Sequence, residues 1–172
     1  VTVLPGGETY LGEVVLTGAE EYAFWEAGML GEKVPLAVKN VTVSGECGEN
    51  CSYTEKDRNT IAFAKGNVTI GYEAGIVQKN LQILLDEPST ITVTLPEGID
   101  VQNPLLGRVS EGGIVSRENN TTVIRWDQTR FVEVRFYDPG QERLLLIFGA
   151  VWFTVAAVLI VPFLLMRRKQ DP

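Results

Sequence analysis

Cys47 and Cys51 are the only cysteines of the chain, in Glu46-Cys47-Gly48-Glu49-Asn50-Cys51-Ser52. Three chemistries are open to such a pair: a disulfide, thiol exchange, or metal ligation. Redox motifs place two residues between their cysteines, and here there are three. Two thiolates alone fall short of the four ligands that structural zinc takes. Outside the cytoplasm, the spacing therefore predicts a disulfide closing a tight loop. Gly48 and Asn50 can supply the positive φ that such a loop needs, and the loop is expected at the tip of a strand hairpin.

Other reactive side chains form weaker patterns. The chain has no histidine, which excludes imidazole ligation and histidine-based proton transfer. Neither Ser44 nor Ser52 sits in a Gly-x-Ser-x-Gly turn, and there is no Ser-x-x-Lys motif. The pairs Glu20-Glu21 and Asp86-Glu87 could serve glycoside chemistry only if two carboxyls faced each other about 5–10 Å apart across a cleft. Glu46, Glu49, Glu55 and Asp57 offer oxygen ligands for calcium but no EF-hand spacing. The expectation is a protein without catalytic, metal-binding or cofactor-binding residues.

Five N-glycosylation sequons begin at Asn40, Asn50, Asn67, Asn119 and Asn120, a density that predicts exposure outside the cell. Asn119 and Asn120 overlap, and Asn50 lies inside the small cysteine loop. Asn and Thr are also ordinary turn and strand residues, which accounts for the same pattern without glycans.

These groups must be carried by a chain in two parts. Leu144 to Met166 contains no charged residue and is followed by Arg167, Arg168 and Lys169. As a helix it would be about 34 Å long, enough to cross a hydrocarbon core of roughly 30 Å. The basic end belongs in the cytoplasm, which puts the N-terminal part outside. The predicted organisation is an extracytoplasmic domain over 1–140, a transmembrane helix over 141–166 and a basic cytoplasmic tail over 167–172. A cleaved lipid-anchor signal would need small residues and a polar spacer before the apolar run, and Tyr137-Asp138-Pro139-Gly140-Gln141-Glu142-Arg143 lacks them. An N-out protein of this kind normally carries a secretory signal, and removal of one is expected ahead of Val1. Ala150, Thr154 and Ala157 share a helical face that is either a helix-packing stripe or plain lipid-facing surface.

Almost all the acidity precedes the span. The residues before Leu144 hold twelve of the fifteen basic and twenty-one of the twenty-two acidic side chains, a net charge of −9. Nucleic acid is excluded as a natural partner. Solubility in a salty medium, attraction of cations and a basic protein partner all remain compatible.

Between Gly and Pro punctuation run about ten short segments that alternate apolar and polar residues. They are Tyr10 to Thr17, Tyr22 to Trp25, Leu36 to Ser44, Thr60 to Ala64, Val68 to Glu73, Leu81 to Leu85, Thr90 to Leu95, Gly113 to Ser116, Thr121 to Trp126 and Phe131 to Tyr137. Gln78 to Leu85 also has helical spacing at Val77, Leu81 and Leu84. The pattern predicts a mainly β, antiparallel sandwich-like ectodomain followed by one C-terminal transmembrane α-helix. Leu95 to Gly113 has no clear strand, and its Ile99, Val101, Leu105, Leu106 and Val109 are expected to pack down over a sheet. With no stalk before the span, the domain is expected to sit low over the lipid.

The C-terminal half carries a particular order: Leu95-Pro96-Glu97-Gly98-Ile99, Asn103-Pro104, Gly112-Gly113, Thr121-Thr122-Val123-Ile124-Arg125-Trp126, then Val134-Arg135-Phe136-Tyr137 before the span. It resembles an uncharacterised family of euryarchaeal surface proteins with a β-rich ectodomain and one C-terminal transmembrane helix. The resemblance implies an archaeal envelope location and brings no catalytic or binding residues with it. The expected function is that of a membrane-anchored envelope protein whose ectodomain is a protein-interaction or accessory module near the bilayer. The alternatives are a membrane-anchored ligand or glycan sensor, and a carboxylate-based hydrolase. A sensor should show a pocket lined by aromatics such as Trp25, Tyr53 or Trp126 with convergent polar groups.

Overall fold

The computed structural model describes residues 1–28, 30–46, 48 and 51–168, with side chains through Val161. It divides into two compact units, Val1–Tyr137 and Asp138–Pro172.

Four long strands dominate the first unit: β2 (Thr9–Ala23), β7 (Thr60–Gly75), β8 (Asn80–Leu95) and β11 (Thr121–Arg135). Each is 15 or 16 residues long. The shorter strands are β1 (Thr2–Val3), β3 (Trp25–Ala27), β4 (Lys33–Pro35), β5 (Val38–Gly45), β6 (Tyr53–Asp57), β9 (Arg108–Val109) and β10 (Ile114–Glu118). Among the described residues, nine of the eleven strands make one sheet in the order β10-β11-β8-β1-β2-β7-β5, with β6 also on β7 and β9 also on β11; β3 and β4 pair separately. The fold class expected from the alternating segments holds. One pairing departs from antiparallel, because β1 runs parallel to β8 at Thr2 and Thr94.

Each half of the sheet is a long two-stranded ribbon with a broken edge strand. On the β2–β7 ribbon, β5 pairs with Val68 to Ala74 and β6 with Thr60 to Phe63. Both run antiparallel to β7, so they lie end to end along one edge. The segment between Gly45 and Tyr53 therefore interrupts that edge, and Cys47, Glu49 and Asn50 of the expected hairpin tip lie outside the described residues. On the β8–β11 ribbon, β9 and β10 repeat the arrangement along β11.

The long strands are bent at bulges. Register shifts interrupt β2 on β7 between Leu16 and Glu21, and β8 on β11 between Trp126 and Phe131. An inserted residue locally breaks the two-residue alternation and increases twist. Gln128, at φ 54°, sits in the second bulge. The bends let both halves close over one core, in which Ile70, Val93, Leu95, Ile124, Val132 and Val134 are wholly buried. At the junction of β2 and β3, Phe24 is held edge-on to Tyr22 and Tyr72, with ring centroids 5.0 Å apart in both pairs. The buried Asn59 fixes it there: the Phe24 N–H donates to Asn59 O at 2.8 Å, and Asn59 Nδ2 donates to Phe24 O at 3.0 Å.

Gln78 to Leu85 is turn and strand, with no helix; tertiary pairing of Leu81 and Ile83 with β11 overrides the local periodicity. Of the Leu95–Gly113 segment, Val101 is buried and Ile99 and Val109 pack on the core, while Leu105 is exposed.

The second unit is the helix α1, Pro139–Arg168. It is long and apolar enough to cross a membrane, with a mean hydropathy of 2.8 over its apolar stretch. Asp138 caps it, its carboxylate accepting from Gln141 N at 3.0 Å.

Candidate functional site: a groove in the middle of the sheet

The strand that joins the two halves, β1, is only two residues long. β1 pairs with β2 at Thr2–Leu11 and Val3–Tyr10, and with β8 at Thr2–Thr94. Val1 extends that line by one residue, its nitrogen donating to Thr92 O and its carbonyl accepting from Thr94 N, both at 2.9 Å. Past Val1, β2 and β8 continue side by side with no ladder between them. Among the described residues, β2 beyond Leu11 is paired only with β7, and β8 below Thr94 only with β11.

The gap is a groove of about 520 Å³. Val14, Leu16 and Tyr22 of β2 line it, as do Leu84, Leu85 and Ser89 of β8. Val15 stands at its lip, 73% exposed. Trp25 and the two carboxylates Asp86 and Glu87 also line it. The Lys33 ammonium bonds Asp86 and lies 5.9 Å from the centre of the Trp25 ring. The strands that form the walls are bulged here, and these bulges carry both acidic pairs noted in the sequence. In each pair one member is neutralised: Asp86 by Lys33, and Glu21 by Lys56 at 2.7 Å.

Of the aromatics considered for a ligand pocket, only Trp25 reaches this groove. Trp126 is 1% exposed and donates Nε1–H to Ser110 O at 3.3 Å, which makes it part of the core. Tyr53 is half-buried on β6 and donates to Val41 O. Among the described residues no group of three or more carboxylates or cysteines is placed to hold a metal. Glu46 instead accepts from Asn67 Nδ2 at 2.7 Å, and Glu49 lies outside the described residues.

The sequon asparagines have backbone roles. Asn40 has φ 52° in the β5 bulge and donates Nδ2–H to Glu73 at 2.9 Å. Asn119 and Asn120, at φ 47° and 68°, make the two-residue turn between β10 and β11, where a left-handed pair matches the strand twist. Asn67 accepts from Gly18 N at 3.1 Å across the β2 bulge. All four are exposed. Asn50, Cys47 and Lys169 lie outside the described residues, as do the side chains of Arg167 and Arg168. Cys51 is partly buried and packs against the core.

One further polar cluster braces the β8–β11 ribbon. Glu133 accepts from Asn80 Nδ2 at 3.0 Å and Gln82 Nε2 at 3.2 Å, and its N–H donates to Ser110 Oγ. The Asn80 hydrogen bond, helped by Gln82 and the positive charge of Arg108 and Arg135, holds the Glu133 carboxyl below its ordinary range against the cost of burial.

The model of a family of unknown function, DUF5803, matches residues 6–170. The chain belongs to that family. No curated protein and no solved structure matches it. The DUF5803 match takes in both the β unit and the helix. The match begins after β1 and includes both walls of the groove. The groove itself was invisible in the sequence, since it is defined by which strands fail to pair. Its only local trace is the pair of charged interruptions, Glu20-Glu21 and Asp86-Glu87, inside otherwise alternating runs.

Proposed function

We propose that this chain is a membrane-anchored, non-enzymatic interaction module of the cell envelope, archaeal in origin, and that the groove between β2 and β8 is its binding surface. α1 is the single span, the β unit lies on the extracytoplasmic side, and Arg167, Arg168 and Lys169 face the cytoplasm. The basic end of the span and the five sequons support that orientation. The cysteine pair is a disulfide in this setting.

The observation that carries the reading is the character of the groove. It is an open trough with an apolar floor and two strand edges for walls, and its charged groups collect at one end. Small-ligand sites converge several polar side chains on one point. Here Asp86 is already paired with Lys33, and the other polar side chains of the lining, Thr17 on β2 and Glu87 and Ser89 on β8, lie on opposite walls. This favours a polypeptide over a sugar or metabolite.

The test is purification of the full-length chain from its native membrane in mild detergent, with mass spectrometry of what accompanies it. A stoichiometric partner that is lost when Leu16 is replaced by Arg supports the reading. Recovery of the chain alone, or a partner indifferent to the groove, goes against it.

A further inference from the structure

The chain leaves the β unit at Tyr137 and enters α1 at Pro139, with Asp138 between them. The helical residues from Pro139 to Arg143 precede the uncharged run that starts at Leu144, and they rise about 7.5 Å. The polar layer on each side of a hydrocarbon core is about 5–7 Å deep. When α1 spans a bilayer, Tyr137 is therefore carried at the level of the head groups, and tilting the helix only brings it closer. Whatever surrounds Tyr137 in the β unit meets that layer first.

Three loop tips surround this exit. Phe136 N–H donates to Lys79 O at 3.1 Å, which places the turn between β7 and β8, with Val77 on it, beside the last residues of the unit. Tyr137 exchanges backbone hydrogen bonds with Asp100, both at 3.0 Å, and its hydroxyl accepts from Asn103 N at 3.0 Å. Leu105 follows in the same loop. The β3–β4 hairpin runs towards the same end: Trp25 lines the groove with Asp86, whereas Ala27 and Gly28 share a cavity of about 340 Å³ with Val77 and Gln78. Its tip carries Leu30 past them.

The most exposed apolar side chains of the unit collect on these tips. Among the described residues of the β unit, four large apolar side chains are at least 73% exposed: Val15 at the groove, and Leu30, Val77 and Leu105. Single exposed apolar residues are ordinary on any protein, but three of these four stand on separate loops around one point. At each tip the backbone is bonded from within. Leu30 N–H donates to Glu32 Oε2 at 2.8 Å and Leu105 N–H to Asn103 Oδ1 at 3.1 Å, while Val77 C=O accepts from Asn80 N–H at 3.0 Å. A tip that makes its own hydrogen bonds loses little on entering a region poor in water. The first of these bonds also folds the Glu32 carboxylate back against Gly28.

We propose that Leu30, Val77 and Leu105 are the points at which the β unit rests on the bilayer, their side chains entering the boundary between head groups and acyl chains. The proposal rests on the reading of α1 as a membrane span and adds a second, peripheral contact with the same bilayer. The surface is assigned to lipid because its connection to α1 brings it to head-group depth whether or not another protein is present. The contact is apolar and not electrostatic, since the residues before Leu144 carry a net charge of −9, which anionic head groups repel. Apolar anchors of this kind enter about 5–10 Å into the boundary, and high salt leaves them in place. Three points define a plane, so the contact sets how the groove between β2 and β8 is presented above the membrane.

The experiment places the full-length chain in nanodiscs of phosphatidylcholine doped with lipid that carries a nitroxide near the head of its acyl chain, and reads paramagnetic broadening of backbone amides. The expected result is at least a twofold loss of intensity at Leu30, Val77 and Leu105, unchanged in high salt, with none at Gln128. That control lies in the β11 bulge, about 23 Å along the strand from Arg135. Leu30→Ser, Val77→Ser and Leu105→Ser combined remove only exposed side chains, so the β signal should be kept while the broadening at all three tips falls at least twofold. Trp152, in the middle of α1, reports the span. Broadening at Trp152 with dry tips overturns the proposal, leaves the span standing and frees the three side chains for a protein partner. Broadening at fewer than three tips, or equally at Gln128, overturns it too. Broadening undiminished by the serine substitutions shows proximity imposed by the tether alone and likewise overturns the apolar contact. Absence of broadening at Trp152 overturns the reading of α1 as a span, and the proposal with it.

Discussion

Gly12 and Tyr72 stand opposite each other across β2 and β7, and their fit sets a measurable constraint on the core. A Cβ on Gly12 would lie 2.2 Å from Tyr72 Cζ and 2.5 and 2.6 Å from its two Cε atoms, more than an ångström inside van der Waals contact. The ring has nowhere to retreat. Phe24 meets it edge-on at 5.0 Å and Tyr10 at 6.0 Å, and Phe24 is itself pinned by Asn59. Overpacking of this kind costs about 1–3 kcal/mol. Alanine returns about 0.4–1 kcal/mol by restricting the unfolded chain, so Gly12→Ala should destabilise by about 1–2 kcal/mol. In a Tyr72→Leu background the obstacle is gone, and the same substitution should be neutral or stabilising. Urea unfolding of the full-length chain in micelles, followed by the β signal in circular dichroism, gives all four corners of the cycle. An equal penalty in both backgrounds, or none in either, would refute the packing argument.

Three other measurements test different parts of the molecule. Glu133 is depressed below its ordinary value of 4.5, so its contribution to stability is present above pH 4.5 and lost as the pH falls through the lower folded value; Glu133→Gln should cost about 1 kcal/mol at neutral pH and flatten the acid limb of the stability curve, and an unchanged acid limb would count against it. Burial pushes the Tyr10 hydroxyl up to about 12 and raises Tyr22 and Tyr72 further, so the folded chain holds protons that the unfolded chain releases, and stability should fall as the pH rises above 10. Tyrosinate absorbance at about pH 11 should show three fewer ionised tyrosines in the native than in the urea-unfolded chain, and ionisation of all five in step would contradict the burial. Replacing both Val155 and Val158 by Lys in α1 adds about 2.5–3.5 kcal/mol per site to membrane insertion and should release the chain from carbonate-washed membranes; unchanged retention would argue against a span.

The strands were legible where alternation was unbroken and misjudged where bulges broke it. Thr60 to Ala64 and Val68 to Glu73 read as two strands, yet β7 runs through Lys65, Gly66 and Asn67 without a break. Its buried positions change from odd to even numbers there, from Ile61 to Val68, which in a sequence looks like an ending. Leu81 to Leu85 and Thr90 to Leu95 merged into β8 in the same way, through Asp86-Glu87-Pro88. Both members of the β1 pair, Thr2 and Val3, are too few for any periodicity to register, so neither the seam nor the groove beside it could be read from local pattern. The sequons were legible as motifs, but the positive φ of Asn40, Asn119 and Asn120 shows that the backbone alone accounts for an asparagine at each.

The interrupted strand along β7 has a consequence for how such molecules can crowd together on a surface. A uniform outer strand would invite end-over-end stacking of neighbouring sheets. Here β5 carries a bulge at Asn40, and the insertion after Gly45 separates it from β6, so no neighbour finds more than a few consecutive main-chain partners on that side. Along that flank each copy would be insulated from the next, even where the local concentration is high enough to drive ordinary sheets into fibres.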